Sequence, residues 1–95
     1  MKVSLSPEAD QDVDNIYLWI AAENMPAADQ MMSDIIDFCF VTVSSNPEIG
    51  RPYGTSMRQA LKRGYRIIYQ IKETEIQIVR ILHPARNHLG IVPKE

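Results

Sequence analysis

The segment Gly64-Tyr-Arg-Ile-Ile-Tyr-Gln-Ile71 decides the fold, together with Glu75-Ile-Gln-Ile-Val-Arg-Ile-Leu82 a few residues later. Both segments are rich in β-branched and aromatic residues, and the polar stretch Lys72-Glu-Thr-Glu75 joins them tightly. This pattern predicts two adjacent strands, the first from Tyr65 to Lys72 and the second from Glu75 to Leu82. Pro84 ends the second strand, because proline has no N–H to donate to a strand ladder.

Side chains alternate across a strand, so the two faces of the first strand can be assigned. The apolar and aromatic set, expected under the helices, is Tyr65, Ile67, Tyr69 and Ile71. The mixed set, expected to be open, is Arg66, Ile68, Gln70 and Lys72. The second strand alternates less clearly, so Arg80 lies either at the sheet margin or against an acidic residue of a helix.

Two amphipathic helices are predicted upstream of the hairpin. The first begins at Ser6-Pro7-Glu8, where serine supplies a capping oxygen, proline suits the first helical position and glutamate complements the helix dipole. Its apolar stripe is Ala9, Val13, Ile16 and Ile20. Its aspartates, expected on a solvated face, are Asp10, Asp12 and Asp14.

The second helix opens at Pro26 and runs to about Ser44, with an apolar surface broad enough for burial on two sides. Lys2–Leu5 is a strand candidate, Asn46–Gly54 reads as a loop, and Met57–Leu61 as a weak strand or turn. The order predicts an α+β domain: an N-terminal strand, an αα-hairpin, then a small antiparallel sheet with the helices packed on one face. The whole chain, 1–95, forms this single domain, and residues 88–95 form a tail.

Composition narrows the class of protein. Of 95 residues, 45% are apolar and 23% charged, which is typical of a folded domain. The single cysteine, Cys39, lies in an apolar run and is expected to be a buried hydrophobe. His83 and His88 stand without further ligand types patterned around them, so we expect neither a metal site nor a cofactor. The acidic N-terminus and the lack of any apolar run of about 20 residues indicate a cytoplasmic protein without membrane contact.

Charge divides along the chain. Residues 1–48 hold one basic and nine acidic residues, whereas residues 49–95 hold nine basic and three acidic ones. The division either serves solubility or turns a basic surface toward an anion, a nucleic acid or an acidic protein. The residues that could form such a concave basic surface are Arg58, Lys62, Arg63, Arg66 and Arg86.

Five ordered segments resemble one family over nearly the whole chain. They are Leu5-Ser-Pro-Glu-Ala9, Asp12-Val-Asp-Asn-Ile16, Asn46-Pro-Glu-Ile-Gly-Arg51, Gly64-Tyr-Arg-Ile-Ile-Tyr69 and Ile81-Leu-His-Pro-Ala-Arg86. The resemblance is to the ParE branch of the ParE/RelE toxins, found in type II toxin–antitoxin operons and often described as plasmid stabilisation proteins. It implies growth arrest by the toxin and a ParD-like antitoxin whose C-terminal segment wraps and neutralises it. Operator DNA would be contacted only through the antitoxin.

The two branches of the family imply different targets. ParE-type members are described as poisoning DNA gyrase, and RelE-type members as cutting messenger RNA in the ribosomal A site. Arg66 and Arg86 match arginines of the nucleases, and His83 could act as an acid or base. Met57 and Gln59 stand where lysines are expected, however, and Val92 stands near an expected tyrosine.

The sequence therefore favours a gyrase inhibitor without chemistry of its own. A ribosome-dependent nuclease using Arg66, His83 and Arg86 is the alternative, and a non-toxic chain that only binds its antitoxin is a third. The residues predicted to face the target or antitoxin are Arg58, Arg63, Arg66, Arg86, His83 and Trp19.

Overall fold

The computed structural model describes residues 1–84. Its α-helices are α1 (Pro7–Ala21) and α2 (Met25–Asp37), and α2 continues into a π-helix, Phe38–Val43. Its strands are β1 (Lys2–Leu5), β2 (Arg51–Tyr53), β3 (Met57–Lys62), β4 (Tyr65–Ile71) and β5 (Glu75–Leu82). The predicted αα-hairpin and the β4–β5 hairpin are confirmed, with β4 ending one residue before Lys72.

The five strands form one sheet in the order β1-β5-β4-β3-β2. β1 runs parallel to β5, and the other neighbours are antiparallel. The α+β class is confirmed, but the sheet is mixed and not wholly antiparallel. The reason is connectivity: β1 and β5 are far apart in sequence, so no tight turn forces them to run in opposite directions.

Two further strands lie before β4, one in a segment predicted as a weak strand or turn and one in a segment predicted as a loop. Met57–Lys62 is β3, and it pairs along its length with β4. The expected loop between Asn46 and Gly54 contains the short strand β2, which pairs with β3 from Met57 to Gln59. β2 therefore forms one edge of the sheet.

Both helices start with side-chain caps. The Ser6 hydroxyl accepts the Ala9 amide at 3.0 Å, and the Asn24 side chain accepts the Ala27 amide at 3.0 Å. Proline follows each cap within the first two helical positions. Ser6 with Pro7 is the signal from which the start of α1 was predicted, and Pro26 alone is the signal for α2; the Asn24 cap was not predicted.

The helices pack on one face of the sheet, and the hydrophobic core lies between the helices and the sheet. Tyr65, Ile67 and Tyr69 of β4 belong to it, as predicted, whereas Ile71 is 38% exposed near the strand end. On the other face, Ile68 is fully buried, contrary to the expectation that it would be open. Its partners in the register are the long side chains Gln59 and Arg80.

Cys39 lies in the π-helix and is fully buried, as predicted. Burial raises the pKa of its thiol to about 12. The thiol is therefore protonated at physiological pH and belongs to the packing of the core.

Candidate functional site

The ladder of β5 is interrupted near its C-terminal end, and the start of α1 is hydrogen-bonded to β5 at that point. The ladder between β4 and β5 shifts register after Ile68, so that Val79 is an extra residue in a β-bulge. The Ser6 hydroxyl donates to the Val79 carbonyl at 2.8 Å, and the Ser6 amide donates to the Ile78 carbonyl at 2.9 Å. Ser6 thus caps α1 and satisfies backbone groups of the bulge at once.

Asp12 completes this attachment. Its carboxylate accepts two hydrogen bonds from the Arg80 guanidinium, each 2.7 Å long, and a third from the Ile81 amide at 2.9 Å. Both side chains are buried. The hydrogen bonds with Asp12 raise the pKa of Arg80, so its guanidinium stays protonated. The helix-pairing role considered for Arg80 is confirmed, and the expectation of a solvated Asp12 was wrong.

The charge of Asp12 predicts solvent exposure, but its position on α1 predicts burial. It follows Ala9 by three residues and precedes Ile16 by four, a spacing that belongs to the buried stripe. An acidic residue inside an apolar stripe, with an arginine in the last predicted strand, is a signal for a buried ion pair.

His83 lies directly after β5 and is buried against two aromatic rings. Its ring meets Trp19 of α1 edge-to-face at 4.5 Å and Tyr65 of β4 at 5.3 Å. Trp19 itself is 51% exposed. Because Tyr65 belongs to the core, these contacts place His83 on the helix side of the sheet.

Arg66 lies on the other side. Its partners in the register are Leu61 on β3 and Leu82 on β5, and residues paired directly across strands share a face. Tyr65 and Ile67, its neighbours in the chain, point to the helices. Arg66 is half-buried on the face away from them, as predicted.

Arg58 binds the backbone of the loop before β2. It pairs with Tyr69 in the register, so it lies on the helix side, and its guanidinium donates to the Gly50 carbonyl at 2.6 Å. The Tyr69 hydroxyl accepts the Gly50 amide at 2.9 Å and donates to the Pro47 carbonyl at 2.7 Å. A Cβ on Gly50 would lie 2.8 Å from that hydroxyl, so glycine is required there.

Two more cations, Lys62 and Arg63, lie where β3 ends and the turn to β4 begins. Arg63 has φ of 55° and Gly64 has φ of 84°, as a two-residue type I′ hairpin turn requires. The Arg63 guanidinium binds Asp34 of α2 at 2.9 Å, and the Lys62 ammonium lies 5.9 Å above the Phe38 ring. The side chains of both cations therefore lie on the helix side of the sheet.

The five cations proposed for one basic surface divide between locations. Arg58, Lys62 and Arg63 turn to the helix side, and Arg66 turns to the opposite face. Arg86 lies outside the described residues. Between residues 1 and 84, no group of three potential metal-binding side chains is found, and no helix there is long and apolar enough to cross a membrane.

Comparison with known families identifies the family to which this fold belongs. The ParE toxin family of type II toxin–antitoxin systems matches residues 3–88. The chain belongs to the ParE toxin family. This confirms the resemblance inferred from the five segments, and it makes the chain a toxin of the ParE/RelE superfamily.

Solved structures share the fold of this ParE-family chain. A chromosomal ParDE system from P. aeruginosa is 27% identical, with a TM-score of 0.71, covering 87% of this chain and 95% of that one. The RelBE2 toxin–antitoxin complex from Mycobacterium tuberculosis is 20% identical, with a TM-score of 0.69 and coverages of 86% and 95%. The YoeB dimer from Staphylococcus aureus is 15% identical, with a TM-score of 0.58 and coverages of 87% and 95%. Comparison with curated sequences finds no significant match.

Proposed function

We propose that this ParE-family toxin inhibits DNA gyrase by binding it, without bond-breaking chemistry of its own. The single observation that carries the proposal is the separation of Arg66 from His83. Arg66 lies on the face of the sheet away from the helices, and His83 lies on the helix side, buried against Trp19 and Tyr65.

This separation argues against a nuclease site. General acid–base catalysis needs the acid or base within hydrogen-bond reach of the reacting group, next to the cation that stabilises the phosphate. His83 is only 7% exposed, and its ring packs in T-shaped contacts with the rings of Trp19 and Tyr65. The lysines expected before Gly64 are Met57 and Gln59, so β3 adds no cation to the face of Arg66 there.

We also propose a ParD-like antitoxin as the neutralising partner. The similar P. aeruginosa structure is a ParDE system, at 27% identity. The present chain exposes apolar side chains on the αα-hairpin, with Leu18 at 65%, Trp19 at 51% and Met25 at 58% exposed. Exposed apolar side chains of this kind can anchor a partner segment that folds on binding.

A supercoiling assay tests the gyrase proposal. Purified toxin added to gyrase and relaxed plasmid should inhibit supercoiling in a dose-dependent manner. Arg66→Ala should weaken inhibition, because it removes the cation from the open face without touching the core. Lys72→Ala, which removes an exposed cation beyond the same strand, is the matched control and should inhibit like the parent. Gyrase unaffected by a large excess of toxin would overturn the proposal.

One observation favours the ribosome-dependent nuclease as a second candidate. Leu82 pairs with Arg66 and immediately precedes His83, so both polar groups lie at the same end of the sheet. Primer extension on translated messenger RNA after induction would then show new cuts at A-site codons. Cuts that disappear with Arg66→Ala would support this candidate, whereas intact messages during growth arrest would exclude it.

A further inference from the structure

The arginines in the described part of the chain divide into those that are bound and those that are not. Three of the five are bound: Arg58 to a backbone carbonyl, and Arg63 and Arg80 to carboxylates of the helices. Arg51 and Arg66 make no ion pair and no side-chain hydrogen bond with any described residue. The three bound guanidinium groups serve the fold, so the other two are available to a ligand.

Arg51 and Arg66 lie on the same face of the sheet. In the register, Arg51 of β2 pairs with Gln59 of β3, and Arg66 of β4 pairs with Leu61, two residues further along β3. Directly paired residues share a face, and so do alternate residues of one strand. Both arginines therefore lie on the face away from the helices. Two strand spacings and two residues along β3 place their Cα atoms about 12 Å apart.

This face carries positive charge without an acid to balance it in the neighbouring strands. Within the described chain, β2, β3 and β4 contain no Asp or Glu. The helices α1 and α2, on the other side of the sheet, contain seven acidic residues and no Lys or Arg. The Gln59 amide on β3, which stands in the strand order between the two arginines, is uncharged. The open face therefore attracts anions.

The composition of the face suits a phosphate backbone more than a protein surface. Its central aliphatic residue, Ile68, is fully buried, and Leu61 is the one large hydrophobe that β2–β4 of the described chain expose on this side. Protein partners are held mainly by clustered apolar and aromatic anchors, which this chain exposes on the αα-hairpin. Guanidinium groups, in contrast, bind phosphate oxygens through two parallel hydrogen bonds.

The spacing of the two arginines also suits DNA. The charges on one strand of duplex DNA repeat about every 3.4 Å along the helix axis. Two arginines about 12 Å apart can thus contact phosphates a few nucleotides apart on the same strand.

We propose that this toxin, when bound to gyrase, also contacts the DNA that the enzyme holds, through Arg51 and Arg66 on the open face. The enzyme named here rests on the proposed function, whereas phosphate as the ligand rests on the two unbound arginines and their charge environment. Two phosphate contacts are too few to hold free DNA tightly. They instead strengthen the binding of the toxin to the gyrase–DNA complex and make that binding depend on salt.

Toxin binding to gyrase, measured with and without a bound linear DNA duplex over a series of salt concentrations, tests the contact. The toxin should bind the gyrase–DNA complex on the order of tenfold more tightly at low salt, and DNA should steepen the salt dependence by about two phosphate contacts. Equal affinity and equal salt dependence with and without DNA would overturn the inference and leave the gyrase proposal standing. Toxin that ignores gyrase and binds ribosomes carrying messenger RNA would overturn both.

Matched variants test the two residues separately. Arg51→Ala should reduce the tenfold preference for DNA-bound gyrase to about threefold and lower the salt slope by about one contact, and Arg66→Ala should do the same. Arg51→Lys keeps the charge and should keep the slope. Lys72→Ala, the control, removes an exposed cation about 20 Å along the strand direction from Arg66 and should leave the preference unchanged.

Stability measurements separate a lost contact from a lost fold. Because Arg51 is exposed and makes no bond to another described residue, Arg51→Ala should melt at the temperature of the parent. A folded Arg51→Ala variant with the salt slope of the parent would contradict the proposed contact. An equal loss of preference in Lys72→Ala would contradict it as well, since the effect would then follow net charge and not position.

Discussion

The carboxylate of Asp12 binds the guanidinium of Arg80 through two hydrogen bonds of 2.7 Å across 68 positions of the sequence. A third bond, from the Ile81 amide, ties the same carboxylate to the backbone of β5. One side chain on the first helix therefore holds both the side chain and the main chain of the last strand in the described region.

Asp12→Ala should lower the free energy of unfolding by about 3–5 kcal/mol, because it leaves a buried guanidinium and a backbone amide without their acceptor. Urea denaturation of the purified variant measures this loss. Asp10→Ala and Asp14→Ala, on exposed positions of the same helix, are the controls and should stay within about 0.5 kcal/mol of the parent. An Asp12→Ala variant as stable as these controls would show that the pair contributes little.

Gly50→Ala should destabilise the protein by about 1–3 kcal/mol, through crowding in a packed site. The added methyl group would lie 2.8 Å from the Tyr69 hydroxyl and 2.9 Å from the Gln59 carbonyl oxygen. Thermal unfolding of two variants separates crowding from backbone conformation. Gly50→Ala tests crowding, whereas Gly54→Ala tests backbone conformation, because Gly54 has a φ of 67°. A Gly50→Ala variant as stable as the parent would show that the Tyr69 hydroxyl and the Gln59 carbonyl move to admit the methyl group.

Tyr69→Phe should cost about 1–3 kcal/mol, because the buried Gly50 amide then loses its acceptor. Tyr65→Phe provides the comparison: that tyrosine packs on His83, and its hydroxyl makes no hydrogen bond within residues 1–84. Denaturant unfolding of both variants should show a loss for Tyr69→Phe alone. Equal stability of the two variants would mean that the loop around Gly50 rearranges to satisfy its amide.

Arg63→Asn should raise stability once the Asp34 partner is absent. Arg63 has a left-handed backbone, which asparagine adopts more readily, by about 1 kcal/mol. Its ion pair with Asp34 is partly exposed, at 42% and 34%, and such pairs contribute about 0–1 kcal/mol. In an Asp34→Ala background, unfolding measurements should therefore show a gain for Arg63→Asn. A loss in that background would mean that Arg63 makes a further stabilising contact.

The buried thiol of Cys39 should make stability fall at alkaline pH. Its pKa rises from 9.0 in the reference state to about 12 in the fold, because burial disfavours the thiolate. A raised folded-state pKa means that the contribution is complete below about pH 9 and is lost as the pH rises toward 12. Unfolding curves between pH 8 and 11 should therefore decline more steeply for the parent than for Cys39→Ala. Parallel declines would contradict a raised pKa.

Local patterns predicted what depends on neighbours in sequence. Ser6 and Pro26 marked the helix starts, and the alternation of Tyr65, Ile67 and Tyr69 marked the buried face of β4. The parallel pairing of β1 with β5 could not be predicted in this way, because it joins segments more than 70 residues apart in the sequence. The burial of Asp12 has a different cause: its charge indicated solvent, but its spacing from Ala9 and Ile16 places it in the buried stripe of α1, where Arg80 is its partner.

The site was predictable to a smaller extent. The open face of Arg66 followed from strand alternation. The opposite orientation of His83 did not, because the bulge at Val79 changes the alternation between Ile78 and Ile81. The role of Arg58 at the Gly50 carbonyl also depended on the course of an irregular loop, which strand and helix periodicity do not describe.

The attachment of Ser6 to the bulge has a consequence for synthesis on the ribosome. Lys2–Leu5 and the start of α1 leave the exit tunnel early, yet their partners lie between Glu75 and Ile81. Contacts so distant in sequence form late, after the entropy of closing a long loop has been overcome. A nascent chain that has not yet released β5 can form the αα-hairpin but not the five-stranded sheet. The faces that carry Arg66 and His83 are therefore assembled only after β5 has left the exit tunnel.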